Sequence, residues 1–527
     1  MRWPKAMPMP WTDSTPAGQL NFLSTIDATH SGDSEPMKPL TLTILLIALL
    51  APLQLFATPD STARSAKKPN IVFVLADDLG WRDVGFHGAK FAETPNLDAL
   101  ARDGMIMNQF YSGGPNCAPT RACIMTGMYS PRTQLYTPGG KSKGSVNLMR
   151  LLVPARGGDA EHNTLESRNN TIEGAHTCIA EVLKPAGYTT ARIGKWHLGP
   201  DTQGFDLSTC NGNNGPGSKH YGSITVARTM TDRAVKFIDE NKDKPFFLYV
   251  AHWDVHGPHR ALKEEVDKYK KKSQGWDNAT NEKPNPVYAA MITAVDESVG
   301  RIRGKLKEIG LDKNTIFIFS SDNGGTPVTT MEPLRGAKGA LFEGGIRVST
   351  CVTWPGVIKP GSSCDTPLTS VDLLPTFAEI AGAQLPKNQP VDGRSFLPLL
   401  KGKKALDERA IFWHYPLYLT GNGAGKVKPV HGTTEPYWRA VPATVMRKGD
   451  WKIFYFYEDK SVELYDVKND ISEKKNLTTE QAERTATMKK ELLTWVKNTK
   501  APTPDKLNPK FGRTSETAPI GKGQKAP

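Results

Sequence analysis

A chain of 527 residues, 38% hydrophobic and 23% charged, is long enough to bury a large core and to divide into two domains. Its formal net charge of +13 is not carried by any single lysine-rich run, which excludes a basic nucleic-acid arm and leaves either a preference for anionic partners or a basic solvated surface. Six cysteines are too few to scaffold a chain of this size, although Cys351 with Cys364 and Cys178 with Cys210 could pair in an exported protein.

Residues 1–36 are polar and proline-rich and read as an over-extended start ahead of Met37. Residues 37–57 place Lys38 directly after that methionine, an apolar run over 40–50 and a small residue, Ala57, at the end, which is the pattern of a secretory signal peptide. The run is short for a membrane span, so an exported protein, periplasmic or extracellular, with no stable span after cleavage is expected. An uncleaved anchor is the alternative, because Leu55 is a poor fit to the small residue usually found two positions before the end of a signal.

The main domain is expected over residues 69–400. It opens on residues 71–76, an apolar and β-branched run that ends in Asp77 and Asp78 and reads as a strand buried on both faces. Residues 117–127, CAPTRACIMTG, hold Cys117, Pro119 and Arg121 in a C-x-P-x-R arrangement. GKWHLG, 194–199, follows the strand-like TTARI and puts Lys195 and His197 two apart, on the same side of an extended segment. Two further apolar runs, over 245–256 and 315–325, end in His256 and in Asp322 with Asn323. Between them Met291, Val295, Val299 and Ile302 recur at helical spacing. Lys338 lies in the glycine-rich stretch 334–348, LRGAKGALFEGGIRV.

Strands alternating with helices predict an α/β fold, a large mixed and mostly parallel sheet sandwiched by helices, with ligands at the carboxyl ends of the strands. After about Leu400 short aromatic and β-branched runs broken by turns, over 445–470, predict antiparallel hairpins, and residues 480–497 predict a helix with Met488, Leu492, Trp495 and Val496 on one face. This gives a smaller C-terminal α+β subdomain over 401–500. The Pro-, Lys- and Gly-rich residues 501–527 read as a disordered tail.

Asp77, Asp78, Asp322 and Asn323 are hard oxygen donors at two strand ends, a set that suits Ca²⁺ or Mg²⁺. Taken singly each motif has a plainer reading. Strand-end Asp and Asn often cap the next turn, Cys117 reads as a buried or paired cysteine, Lys195 and Lys338 as solvated charges, and His197 and His256 as structural histidines.

In the order DD, CxPxR, GKWHLG, His-x-Pro-His, SDNGG, RGxKG and EGGIRV, continued by RKGDWKI and ELYDVKND, the chain resembles the type I, formylglycine-dependent sulfatases of the alkaline phosphatase superfamily, arylsulfatase-like. The resemblance implies that Cys117 is oxidised to formylglycine by a maturation enzyme. It further implies that Asp77, Asp78, Asp322 and Asn323 hold a metal together with residue 117, and that Arg121 and Lys195 stabilise the formylglycine hydrate. Lys195, His256 and Lys338 would bind substrate sulfate. His256 with Lys338 would assist the leaving alcohol, and His197 would be the base that collapses the sulfated hemiacetal. Fixed positive charge where an anionic ester reacts is what such a transfer needs. Calcium is expected over magnesium, because several protein oxygens around one ion suit its larger shell.

The favoured activity is hydrolysis of sulfate monoesters on a sulfated carbohydrate. A phosphonate monoester or phosphodiester hydrolase of the same superfamily, and a sulfated-glycan binding protein in which Cys117 is never converted, are the alternatives. Cys123 departs from the family pattern and could pair or compete with Cys117. Residues 135–170 look like an insertion, and with 204–221 and 414–439 they are expected to shape the substrate rim, although 414–439 also reads as an ordinary linker.

Overall fold

The computed structural model of the protein describes residues 68–157, 165–172, 174, 176–199, 203–209, 222–277, 281–421 and 425–512. The start before Met37, the signal-like segment, Cys210 and parts of the three rim segments lie outside the described residues. Among the described residues no helix is long and apolar enough to cross a membrane.

The main sheet contains β1 (Asn70–Ala76), β2 (Met105–Met107), β3 (Thr189–Gly194), β4 (Leu207–Ser208), β5 (Phe246–Ala251), β6 (Thr315–Ser321), β7 (Cys351–Thr353) and β8 (Ser362–Cys364). In space they are ordered β4-β3-β5-β1-β6-β7-β2-β8. The strands from β4 to β6 in that order are parallel, with Ile71 of β1 beside Phe247 on one side and Ile316 on the other. Only β7 runs against its neighbours. The sheet is therefore mixed and mostly parallel, as expected.

Alternation along β1 separates two apolar layers. Ile71, Phe73 and Leu75 pack with Ala122, Ile179 and Phe377, whereas Val72, Val74 and Ala76 pack with Met230, Val295 and Ile302 on the other face. Burial on both faces is why these strands read as unbroken apolar runs. The helix Pro286–Glu308 starts where the Asn285 side chain accepts a hydrogen bond from the Tyr288 N–H, has Pro286 in its first turn and ends with Lys305 and Lys307 in its last.

The chain then forms an antiparallel meander of β9 (Ala410–Tyr415), β10 (Ala443–Lys448), β11 (Trp451–Phe456) and β12 (Val462–Asp466). The helix Ala482–Asn498 buries Met488, Leu492 and Val496 against it, and Trp495 stacks on Phe412 with centroids 4.4 Å apart. All described residues belong to one unit, 64–527.

Two expectations are corrected here. Cys351 and Cys364 are both free thiols, because they lie on strands separated by β2 and their side chains enter opposite apolar layers. The tail is not disordered from residue 501: through Gly512 it packs on the inserted segment. Leu152 donates to the Lys506 carbonyl at 2.8 Å, and the buried Asn508 side chain donates to the carbonyls of Val146 and Met149. The backbone groups of both segments satisfy each other, which composition does not report.

The C-terminal sheet is clamped to the main body by buried charge. Lys452, with no exposure, lies 3.0 Å from Glu343 and 2.9 Å from Glu473, and Glu343 also accepts from Arg347 and from the Tyr111 hydroxyl. Burial opposes ionisation of both carboxylates. At Glu343 the lysine and arginines outweigh burial and hold it well below the usual range, whereas Glu473, beside Glu343, is pushed up. Lys452→Met removes the buried cation shared by Glu343 and Glu473 and leaves Glu473 without its charged partner, so we expect a loss of about 3–5 kcal/mol in denaturant unfolding. A loss below about 1 kcal/mol would contradict this account of the clamp.

Candidate active site

Because β1, β3, β5 and β6 are parallel, their carboxyl ends open on one edge, and the polar residues that follow each strand meet there. Asp77 and Asp78 leave β1, Lys195 and His197 leave β3, His256 follows β5, and Asp322 with Asn323 leave β6. Asp78 and His197 adopt left-handed backbone at φ 63° and 65°, a strained geometry for non-glycine residues and one that collects at sites where a side chain must be aimed.

Cys117 is the first residue of the helix Cys117–Thr126, which is buried throughout and ends on Gly127 at φ 68°. Its sulfur lies 4.0 Å from an Asp78 oxygen and 3.4 Å from Lys338 Nζ. Burial, reinforced by Asp77, pushes the thiol up to about 12. At neutral pH the group is a protonated thiol and a poor nucleophile. Cys123 does not compete with it: its sulfur turns to the Gly113 carbonyl at 3.6 Å, in an apolar cluster with Tyr129 and Val371.

The remaining candidates are joined by direct contacts. Arg121, fully buried, donates to Asp322 at 2.7 and 3.0 Å and to the Lys195 carbonyl at 3.0 Å. Lys195 Nζ is paired with Asp77. Lys338 Nζ is 2.6 Å from an Asp78 oxygen, and His256 Nε2 is 3.7 Å from the other. Asn323 donates to Asp78 at 2.8 Å. The Lys338 loop is held on the Asn323 turn, since Lys338 N–H donates to Gly325 and Gly324 N–H to Gly345. A Cβ at Gly324 would lie 1.9 Å from the Gly344 carbonyl oxygen, so only glycine allows that approach.

Electrostatics follow from this packing. Burial works against the charge of Asp77, but Lys195, His256 and Arg121 hold its carboxyl well below the usual range, whereas burial and the Asp77 charge push Asp322 up. His197 lacks a direct contact with the others, yet burial with Lys195 and Arg121 nearby pushes its imidazole down to about 2, so it is neutral at ordinary pH. Lys338 stays a cation: Asp78 offsets its burial and raises it above the ordinary lysine range.

The residues fit a divalent cation. Ligand atoms of Asp77, Asp78, Cys117 and Asp322 lie within 4.8 Å of one another. Asp77 Oδ1 and Asn323 Oδ1 are buried with no hydrogen-bond partner, which leaves two oxygens available to a metal. The motifs did not point to two supporting residues. Tyr288 donates to Asp83 at 2.7 Å and to the Asp78 carbonyl, and the Tyr249 hydroxyl is 3.4 Å from Arg121. Both lie in runs that read from sequence as ordinary core.

Residues 69–383 match the family model described as Sulfatase, and residues 337–499 match that described as N-sulphoglucosamine sulphohydrolase, C-terminal. A sulfatase of Formosa agariphila is 30% identical over 89% of this chain and 95% of its own. The chain belongs to the sulfatase family. This sulfatase is a sulfuric ester hydrolase of the alkaline phosphatase superfamily. It is also similar to mouse N-acetylgalactosamine-6-sulfatase, 30% identical over 70% of this chain and 72% of the relative, and to mouse steryl-sulfatase, 28% identical over 72% of each. Among solved structures, that of Ps i-CgsB in complex with k-i-k-neocarrahexaose superimposes with a TM-score of 0.63 at 26% identity, covering 84% of this chain and 95% of that one.

Proposed function

We propose that this sulfatase removes sulfate from a sulfated carbohydrate outside the cytoplasm, using a formylglycine made from Cys117 and a calcium ion held by Asp77, Asp78, Asp322 and Asn323. One observation carries the reading: Lys338 lies 3.4 Å from the Cys117 sulfur, and Lys195 and Arg121 are paired with Asp77 and Asp322 of the same cluster of potential metal ligands. When present, the formylglycine hydrate supplies an oxygen nucleophile, and the cation polarises it and the sulfate.

The side chains have separable tasks. Lys195 is buried behind Asp77 and neutralises sulfate charge from within the site. Lys338 and the His256 side chain, 30% exposed, lie at the mouth, where the alcohol of a bulky substrate must leave, and they supply the leaving oxygen with its proton. The His197 imidazole, close to Lys195 and Arg121, would take up the proton as sulfate leaves residue 117. The carbohydrate reading is supported by two similar proteins whose names carry a sugar, N-acetylgalactosamine-6-sulfatase and the neocarrahexaose complex. The signal-like residues 37–57 support export.

The test is a panel of sulfated oligosaccharides from heparan, chondroitin, carrageenan, ulvan and fucoidan, with released sulfate as the readout and steryl, aryl and phosphonate esters as controls. We expect turnover on at least one glycan at a kcat/KM above that on every control. Efficient turnover of a steryl, aryl or phosphonate ester with none on any glycan would sink the proposal.

A further inference from the structure

Resting on that reading, we propose that Lys143, Arg156 and Arg439 form a second anion subsite at the mouth of the sulfate pocket, which takes an additional sulfate or carboxylate of the same oligosaccharide. The transferring sulfate is served by Lys195 and Lys338, so these three cations address a different group on the substrate.

Their convergence is built by backbone pairing between the inserted segment and the strand-like residues after β9. Lys143 N–H donates to the Tyr418 carbonyl at 2.9 Å, and its carbonyl accepts from Thr420 N–H at 3.0 Å, which lays it beside Leu419. Leu419 in turn pairs with Ala440 and accepts from Arg439 N–H at 2.8 Å. The register is tight: Gly144, at φ 131°, lies against Trp438, where a Cβ would come within 2.6 Å of the indole ring. The Arg439 guanidinium passes over Gly421 and reaches the Lys338 carbonyl at 3.4 Å. Arg156 N–H donates to the Ser142 carbonyl, and its guanidinium lies over Gly139, 3.1 Å from the position of a Cβ there. Lys143 is thereby brought within electrostatic reach of Arg156, Arg439 and Lys338, whose Nζ is 3.4 Å from Cys117.

Among the described residues neither the Lys143 ammonium nor the Arg156 guanidinium has an ion pair or a side-chain hydrogen bond, although Lys143 is half-buried. Burial, then Arg156 and Lys338, push the Lys143 ammonium below its ordinary range. A desolvated lysine held among cations is unfavourable for the free protein, and an anionic ligand relieves it. The aspartates of the metal cluster, Asp77, Asp78 and Asp322, are already engaged by Lys195, Lys338 and Arg121.

The experiment compares wild type with Lys143→Ala and Arg156→Ala on four substrates: 4-nitrophenyl sulfate, a monosulfated neutral oligosaccharide, its disulfated counterpart, and a monosulfated oligosaccharide with a neighbouring uronate. For wild type we expect kcat/KM on one dianionic substrate to exceed that on the neutral-flanked one by about tenfold or more, with the excess falling as salt rises. Each variant should lose most of that ratio through KM, while hydrolysis of 4-nitrophenyl sulfate reports that the fold and the reacting groups are intact. The disulfated and uronate arms separate sulfate from carboxylate recognition. A wild-type enzyme that treats neutral-flanked and dianionic glycans alike, or variants that keep the wild-type ratio, would overturn the subsite and leave the carbohydrate reading standing. No turnover of any glycan by wild type would overturn both.

Discussion

Cys117→Ala should abolish sulfate release, by roughly 10⁴-fold to 10⁶-fold in kcat, while the protein stays folded. Residue 117 opens a helix packed on every side, and the substitution removes one sulfur whose polar neighbours, Lys338 and Asp78, remain paired to each other. The cost in stability is therefore that of a small cavity, about 1 kcal/mol. Near-normal thermal denaturation with lost turnover is the expected pair of results, and sulfatase activity in this variant would remove the central claim. Cys117→Ser should behave alike in a host whose maturation enzyme accepts only cysteine. Mass spectrometry of the peptide that carries residue 117 gives an independent readout, since conversion of the thiol side chain to an aldehyde lowers the mass by about 18 Da.

Asp322→Asn should lose bound calcium and activity together. The carboxylate is fully buried, shares a 4.8 Å cluster with Asp77, Asp78 and residue 117, and is also the partner of Arg121. Alanine at this position would strand a buried guanidinium, which alone costs about 3–5 kcal/mol and would confuse metal loss with misfolding. Asparagine retains an acceptor for Arg121 and removes the charge. With one anionic ligand fewer, calcium affinity should fall by about 100-fold or more. Elemental analysis and calcium titration of the folded variant measure this. Full calcium content with full turnover would contradict the assignment of Asp322, and a stoichiometric transition metal in the wild type would contradict the choice of ion.

Much of the site was legible because its chemistry is local in the chain. In a parallel sheet the carboxyl ends of all strands open on one edge, so Asp77, Lys195, His256 and Asp322 could be read as neighbours from apolar runs that end in polar residues. The close approach of Gly324 to the Gly344 carbonyl crosses between two loops, so neither stretch reports it alone. Cysteine pairing was illegible for a related reason. Cys351 and Cys364 are near in sequence, but an intervening strand and the two-faced alternation of the sheet part them.

The amino-acid sequence by itself determined the α/β architecture and the placing of polar residues at the strand ends, because strand periodicity and strand-end residues depend on a few adjacent positions, while the roles of those residues came from the resemblance to the sulfatases. Only the tertiary structure decided the rest. It set the Glu343–Lys452–Glu473 clamp, the docking of residues 501–512, the turning of Cys123 away from Cys117 and the approach of Arg156 and Arg439 to Lys143. Each of these joins segments far apart in the chain, whose mutual position follows from how two sheets and an inserted segment pack, and no periodicity in either segment carries that information.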